Sequence, residues 1–222
     1  MKAHISVTQF VWNIFQRSIK KFEINDYPHF RTHEEKELFS NLLSDAEQLV
    51  EYGSGGSTIY AAARVKRLVS VESDKKFFCA VRRKLSLVRS DNSIKLLYRP
   101  FGICGRYSMP LKLFGKTFTS KAKILSYVKD PWGEVDEKLS TVVLIDGRFR
   151  ISCLIEAAIQ SEKLEKCTIL LDDYLNRNEY SIVQEIFPSL VLVGNLAVIK
   201  VRSDALPNLD KALQDKYLDD PR

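Results

Sequence analysis

Two rhythms of apolar positions take turns along the chain, one helical and one strand-like. Thr32-His33-Glu34-Glu35 has the form of a capping box, in which the Thr hydroxyl and the Glu carboxylate satisfy free amides at a helix start. Leu38, Phe39, Leu42, Leu43 and Ala46 then share one helical face. A short strand over 48–52 runs into the glycine-rich stretch 53–56, and a helix carrying Ile59, Ala62 and Ala63 follows. The pattern next predicts a strand at 67–72. Ser73-Asp74 opens a helix whose Phe77, Phe78, Val81, Leu85 and Val88 share a face, and a third strand spans 93–99. Residues 142–145 are wholly apolar, as a buried parallel strand should be. A helix over 151–159, a strand over 168–171 and a helix stopped by Pro188 come next. Two strands, 190–193 and 196–201, flank Gly194-Asn195, which predicts a tight hairpin.

Alternating strands and helices predict an α/β fold, a doubly wound, mostly parallel seven-stranded sheet closed by a C-terminal β-hairpin. The core domain then spans 32–202. Forty residues, 100–139, separate the third and fourth strands, and only 120–128 among them has a helical pattern. A connection that long usually serves function, so 100–139 is expected to form an acceptor lid. Before the core, Phe10, Val11, Ile14, Phe15, Ile19 and Phe22 fall at helical spacing beside Arg17, Lys20 and Lys21. Residues 1–31 are therefore an amphipathic helix and linker. That helix docks on the protein's own core or on a sister subunit in a homodimer, or else it lies on an anionic membrane surface. It lacks the small-residue cleavage site of a secretory signal. The tail, 203–222, is polar and predicts a loose helix.

The chain has 222 residues, with 45% hydrophobic and 28% charged, which excludes a disordered chain. No apolar run reaches the roughly 18 residues of a membrane span. A net charge of +6 admits nucleic acid as a partner. However, the densest basic stretch, Arg82-Arg83-Lys84, falls on an amphipathic helix, and no aromatic residues interleave with basic ones. Nucleic acid is therefore not the expected partner. The four cysteines are far apart and form no C-x-x-C pair. Three of them sit in apolar patterns, where Cys acts as a small hydrophobe. A reducing, cytoplasmic setting without disulfides or zinc follows.

The strongest chemical signal is EQLVEYGSGGST, 47–58, a strand that ends in a glycine-rich turn and opens a helix. Glycines let the backbone turn sharply and approach a ligand, while helix-start amides offer donors. Glu72 closes the second strand nineteen residues after Gly53, near the spacing of a carboxylate that grips ribose hydroxyls. Together these features indicate a nucleoside-containing ligand. A dinucleotide fingerprint would place a third glycine at 58, where this chain has Thr58.

Residues 51–57, EYGSGGS, resemble the first motif of class I S-adenosylmethionine-dependent methyltransferases, an acidic residue followed by G-x-G. The strand order with its terminal hairpin is similar to that family's over 32–202. VLIDGRFR (143–150) and LLDDY (170–174) resemble a bacterial branch of methyltransferase-like proteins. The resemblance implies a Rossmann-like methyltransferase fold and S-adenosylmethionine as cofactor. Glu51, Tyr52, Gly53, Ser54, Gly55 and Ser57 would line its methionine and sulfonium end. Glu72 would bind the ribose, Ser73, Phe101 and Gly102 would border the adenine, and Asp146 would also reach the ligand. One departure is visible, because the family's third glycine is Ser57 here, with Gly56 beside it.

Asp146, Asp172 and Asp173 close predicted strands, at the edge where α/β sheets bind ligands. Similarity to the cation-dependent O-methyltransferases implies that Asp146 with Asp172 or Asp173 would hold Mg2+, a hard ion suited to oxygen ligands. The alternative leaves Asp146 on ligand or backbone amides and Asp172 capping a turn. The chain departs from that subgroup at Asp173, where Asn is common, and lacks its lysine base. Without a metal, Asp146 is the expected general base. Arg148 and Arg150 would anchor an acidic acceptor, or pair with neighbouring carboxylates. His29 and His33 would fold over the site or stay at the surface. Trp132 and Tyr107 would wall the acceptor or be buried at the sheet edge.

The sequence as a whole points to an S-adenosylmethionine-dependent methyltransferase, with O-methylation of a small molecule or glycan and catalytic roles for Asp146 and Arg148. A catalytically inactive binding module on the same fold is the alternative. An NAD(P)-dependent oxidoreductase is a third, against which Thr58 and the topology argue.

Overall fold

A computed structural model describes residues 23–88, 91–104, 109–110, 112–113, 116–175, 177–201, 209, 216–218 and 220–221. The expected N-terminal amphipathic helix and Tyr107 lie outside these residues.

Helix α1 (His33–Asp45) begins with the capping box read from the sequence. The Glu35 amide donates to the Thr32 hydroxyl, and the Glu35 carboxylate accepts from the Thr32 amide. Strand β1 (Gln48–Tyr52) leads through the glycine turn to α2 (Gly56–Ala62) and β2 (Arg67–Glu72). Helix α3 (Lys75–Leu85) is capped by Asp74, whose carboxylate accepts from the Lys76 and Phe77 amides. After β3 (Ser93–Tyr98) a small antiparallel ribbon pairs β4 (Lys112–Leu113) with β5 (Lys116–Thr117). Helix α4 (Lys121–Lys129) and a 3-10 turn (Asp130–Glu134) return the chain to β6 (Thr141–Ile145). Helix α5 (Arg150–Ser161), β7 (Cys167–Leu171), α6 (Ser181–Ile186), β8 (Val191–Val193) and β9 (Leu196–Ile199) complete the order.

The seven-stranded sheet runs β3-β2-β1-β6-β7-β9-β8, parallel throughout except for β9, which is antiparallel to both neighbours. The chain winds outward through β1, β2 and β3, then crosses back to lay β6 on the other side of β1. That reversal opens a crevice between the carboxyl ends of β1 and β6, the usual ligand position in such sheets. Alternation along the strands feeds two cores. Val50, Tyr52, Val143, Ile145, Ile169 and Leu171 pack with α4 and α5, while Leu49, Leu68, Val142, Leu144 and Leu170 pack with α1 and α2.

Three expectations change. Helix α4 is no part of a lid, since Ile124, Tyr127 and Val128 are buried and it serves as the crossover helix between β3 and β6. The tail is not loose at every described position. Leu209 and Leu218 join the core, and the Phe149 amide donates to the Pro221 carbonyl at 3.2 Å. Cys79 is exposed on α3 and Ala63 is exposed after α2, so neither belongs to a buried face; Ala61 is buried instead. Among the described residues no helix is long and apolar enough to cross a membrane.

Candidate active site at the carboxyl edge

The glycine turn is built by backbone approach. Gly53 has φ +93°, a conformation that L side chains rarely adopt, and a Cβ there would meet the Gly147 backbone at 2.8 Å. Its amide donates to the Val71 carbonyl at 2.9 Å. The Gly55 amide donates to the Thr58 hydroxyl at 2.7 Å, and Thr58 in turn donates to Glu51 at 2.5 Å. Ser57 and Ser70 also donate to the Glu51 carboxylate, Ser70 at 2.6 Å, and the Ser54 and Ser70 hydroxyls are paired at 2.7 Å. Burial raises the Glu51 carboxyl above its ordinary value, against these hydroxyl bonds. Glu51, Ser57 and Thr58 therefore brace the turn from within. Gly56 has its own cause, because a Cβ there would fall 2.0 Å from the Tyr27 carbonyl of the strap, residues 23–31, that crosses the turn.

Glu72 ties this turn to the end of β2. Its Oε1 accepts from the Ser73 and Asp74 amides, both at 2.6 Å, and from the Ser73 hydroxyl at 3.4 Å. Its Oε2 accepts from the Ser54 amide at 3.1 Å. The side chain is buried, and burial pushes its carboxyl up to about 7 while the amide bonds pull the other way. A carboxylate has roughly four acceptor positions, so Oε2 keeps capacity for a further donor.

Asp146 and Asp172 extend the ladders beyond β6 and β7. The Asp146 amide donates to the Tyr52 carbonyl and the Asp172 amide to the Ile145 carbonyl, both at 3.0 Å. Burial first, then the Asp146 charge, push the Asp172 carboxyl up to about 8. Asp146 is also raised by burial, against the pull of Arg150, but its side chain keeps 39% of its surface open and solvent tempers the push. Asp173 turns away with φ +56°. It accepts from Arg31 at 2.7 Å, Arg177 at 3.0 Å and the Asn195 amide nitrogen at 3.3 Å.

Among solved structures, a methyltransferase-like protein from Silicibacter pomeroyi superposes with a TM-score of 0.68 at 24% identity, covering 89% of this chain and 100% of that one. An O-methyltransferase from Bacillus cereus, in complex with S-adenosylhomocysteine, gives a TM-score of 0.50 at 15% identity, covering 86% of this chain and 90% of that one. The fold is that of the Rossmann-like methyltransferases. No protein-family model matches the chain, and neither does any curated protein sequence.

Against this methyltransferase fold, several expected site residues are placed elsewhere. Tyr52 follows Val50 on the α4–α5 face of the sheet, so its ring is buried away from the turn. Its hydroxyl donates to the Val128 carbonyl at 2.6 Å and accepts from the Trp132 indole at 2.7 Å. Trp132 is thereby the sheet-edge brace and not an acceptor wall. Phe101 is buried edge-to-face between Tyr127 and Phe149, at 5.5 and 4.9 Å, and presents no surface for adenine. Gly102 is explained by a backbone crossing, since a Cβ would lie 1.9 Å from the Phe118 carbonyl. His29 and His33 are exposed.

Arg150 does not reach out for an acceptor. Only 4% of its side chain is exposed, and it donates inward to the carbonyls of Asp146, Gly147 and Asp172. Arg148 is partly buried at the same edge. Its amide donates to the Tyr127 hydroxyl at 3.4 Å, and burial followed by the Arg150 charge lowers its pKa. The donor set does not fit Mg2+. Asp173 is committed to arginines, and no group of three His, Cys, Asp or Glu side chains among the described residues could hold a metal.

Sequence reasoning passed over Gly147, Tyr127 and Tyr180, and read Asn195 only as part of the hairpin turn. A Cβ on Gly147 would meet the Tyr127 hydroxyl at 2.0 Å. Asn195 accepts from the Leu175 amide at 2.7 Å and its own amide donates to Glu35 at 2.5 Å, which pins the hairpin turn to α1. The Tyr180 hydroxyl is buried with no hydrogen-bond partner among the described residues. The D-G pair after β6 was a signal for Gly147; no pattern marked Tyr127 or Tyr180. A cavity of about 450 Å³ lies beside the strap, lined by residues that include Asn25, Tyr27, His29, Phe30, Lys36 and Lys84. None of the carboxyl-edge groups borders it.

Proposed function

We propose that the chain is an S-adenosylmethionine-dependent methyltransferase acting on a hydroxyl group of a small molecule or glycan. The observation that carries this reading is Glu72, a buried carboxylate strung between the glycine turn and the end of β2 with acceptor capacity left on Oε2. In this reading Oε2 receives a ribose hydroxyl, while the Gly53–Gly55 turn lets the backbone approach the methionine end. Bound there, the cofactor supplies a methyl group activated on sulfonium. Asp146 stands across the β1–β6 crevice with an open carboxyl edge, held by its ion pair with Arg150. It would take the acceptor's proton, while a cofactor held by Glu72 and the glycine turn would supply the methyl group. Arg148 supplies positive charge to an acidic acceptor and, staying protonated, serves as no base.

Calorimetric titration with S-adenosylmethionine, S-adenosylhomocysteine and NAD tests the assignment. Micromolar binding of the first two, lost in Glu72→Ala, is expected, together with an Asp146→Asn variant that binds the cofactor and loses turnover. Binding of NAD alone would replace this reading with an oxidoreductase. Binding of none would favour the inactive module.

A further inference from the structure

We propose that Arg150 is the resident cation of the carboxyl edge, filling with its guanidinium the oxygen shell that a divalent metal would otherwise take. Its Nε donates to the Gly147 carbonyl at 3.1 Å, and Nη1 donates to the Asp172 carbonyl. Nη2 donates to the Asp146 carbonyl at 3.2 Å and to its carboxylate at 2.9 Å, and lies 3.8 Å from the Asp173 carboxylate. Three backbone carbonyls and two carboxylates thus surround one buried charge. This is the all-oxygen environment of a hard cation, made here by the first residue of α5. A guanidinium stays charged and its donors have fixed directions, so it holds the β6 and β7 ends in one register and fixes the Asp146 carboxylate.

Two features make the arginine the occupant and not a guest. Asp146 is four residues before it, so the arginine side chain folds back over the loop that precedes α5 onto the carboxylate. Asp173, left-handed and turned from Asp172, adds its charge from the far side while Arg31 and Arg177 balance it there. A divalent ion placed among these oxygens would face the guanidinium at contact distance, and the repulsion would expel one of the two. The oxygen shell and its cation stand whatever the reaction. Only the consequence for the acceptor's proton rests on the methyl-transfer reading, in which Arg150 acts as a positioning residue for Asp146.

The full-length chain is titrated calorimetrically with Mg2+ and Mn2+, and its melting is followed with EDTA or millimolar metal. The expected result is no saturable heat and an unchanged Tm. Arg150→Met strands the carboxylates and carbonyls, so its Tm should fall by about 10 °C and recover in part when Mn2+ is added. Arg150→Lys restores the charge without the fork and should fall between the two. Saturable submillimolar Mg2+ binding by the wild type, lost in Asp172→Asn, would overturn the proposal; so would an Arg150→Met variant with the wild-type Tm. Should neither arginine variant fold, the wild-type titration still decides.

Discussion

Gly53 and Gly147 meet backbone to backbone, so the two turns that frame the β1–β6 crevice are in contact through main chain alone. A methyl on Gly53 would lie 2.8 Å from the Gly147 Cα, and one on Gly147 would lie 2.0 Å from the Tyr127 hydroxyl. Gly53 adds the strain of a positive φ, about 1–2 kcal/mol for an L residue. Gly53→Ala and Gly147→Ala should each lower stability in urea denaturation by about 2–4 kcal/mol. Gly133→Ala is the control, because nothing lies within 4 Å of its new methyl. Equal stability of all three variants would refute the contact.

Tyr52 and Tyr180 should respond oppositely to loss of a hydroxyl. Tyr52→Phe leaves the buried Val128 carbonyl and Trp132 indole short of a partner, which should cost about 1–3 kcal/mol and leave cofactor affinity unchanged. Tyr180→Phe removes a buried hydroxyl that has no partner among the described residues, so it should be neutral or stabilising. A loss of S-adenosylhomocysteine binding in Tyr52→Phe, at preserved fold, would return that residue to the ligand site.

Glu72 sets a pH dependence. Its carboxyl sits at about 7 in the fold against an ordinary 4.5, so between those values the folded chain holds a proton that the unfolded chain has released. Stability contributed by this group is therefore full in acid and declines as pH rises from about 4.5 to 7, by on the order of 3 kcal/mol. Glu51 and Asp172 are raised too and slope the same way, so the readout is the difference between wild type and Glu72→Gln in urea melts. The variant should lose part of the slope; parallel curves would show that Glu72 is not the group. In the proposed cofactor role the ionised form accepts the ribose hydroxyl. Affinity should then weaken below about pH 7, by up to tenfold per unit, in wild type and not in Glu72→Gln.

Glu35 joins elements far apart in sequence. Its carboxylate accepts from the Arg31 amide at 2.7 Å, the Thr32 amide at 3.0 Å and the Asn195 amide at 2.5 Å, and a Cβ on Gly194 would strike it. Glu35→Gln keeps the volume and weakens these acceptors, at a cost of about 1–3 kcal/mol. Gly194→Ala should cost a similar amount through its positive φ and the collision. Denaturation midpoints check both.

Strand β6 was legible because it is buried on both faces and nearly wholly apolar, whereas β1, with Gln48 and Glu51 buried inside it, was marked chiefly by the glycine turn that ends it. Glu72 was legible by spacing from Gly53. Tyr52 was legible in principle, since a period of two places it with Val50, away from Glu51, but reading a motif as a block hides that alternation. The place of Phe101 was not, as it follows β3 in a stretch without periodicity. Arg150 was legible in part, since pairing with a neighbouring carboxylate was one of its two readings and it pairs with Asp146, but its carbonyl partners were not. Most of its partners are carbonyl oxygens, and a pattern of side chains does not reveal where the main chain converges. The buried Leu209 shares helical spacing with Leu206, Leu213 and Tyr217, and Tyr217 precedes the buried Leu218, a rhythm hidden by reading the tail as polar throughout.

The position of β9 has a consequence for how the sheet is assembled. It lies inside the sheet between β7 and β8, and among the described residues β9 is the only sheet neighbour of β8. During synthesis the first five parallel strands emerge before any of this hairpin, so the outer rim of β7 stays open, with unpaired amides and carbonyls. Such a rim is a template for stray pairing with other chains. Because β8 and β9 are joined by a tight turn, they can pair locally first and then land on β7 together. The hairpin thus acts as the closing piece of assembly, and slowing its formation would lengthen the interval in which the nascent sheet is prone to aggregate.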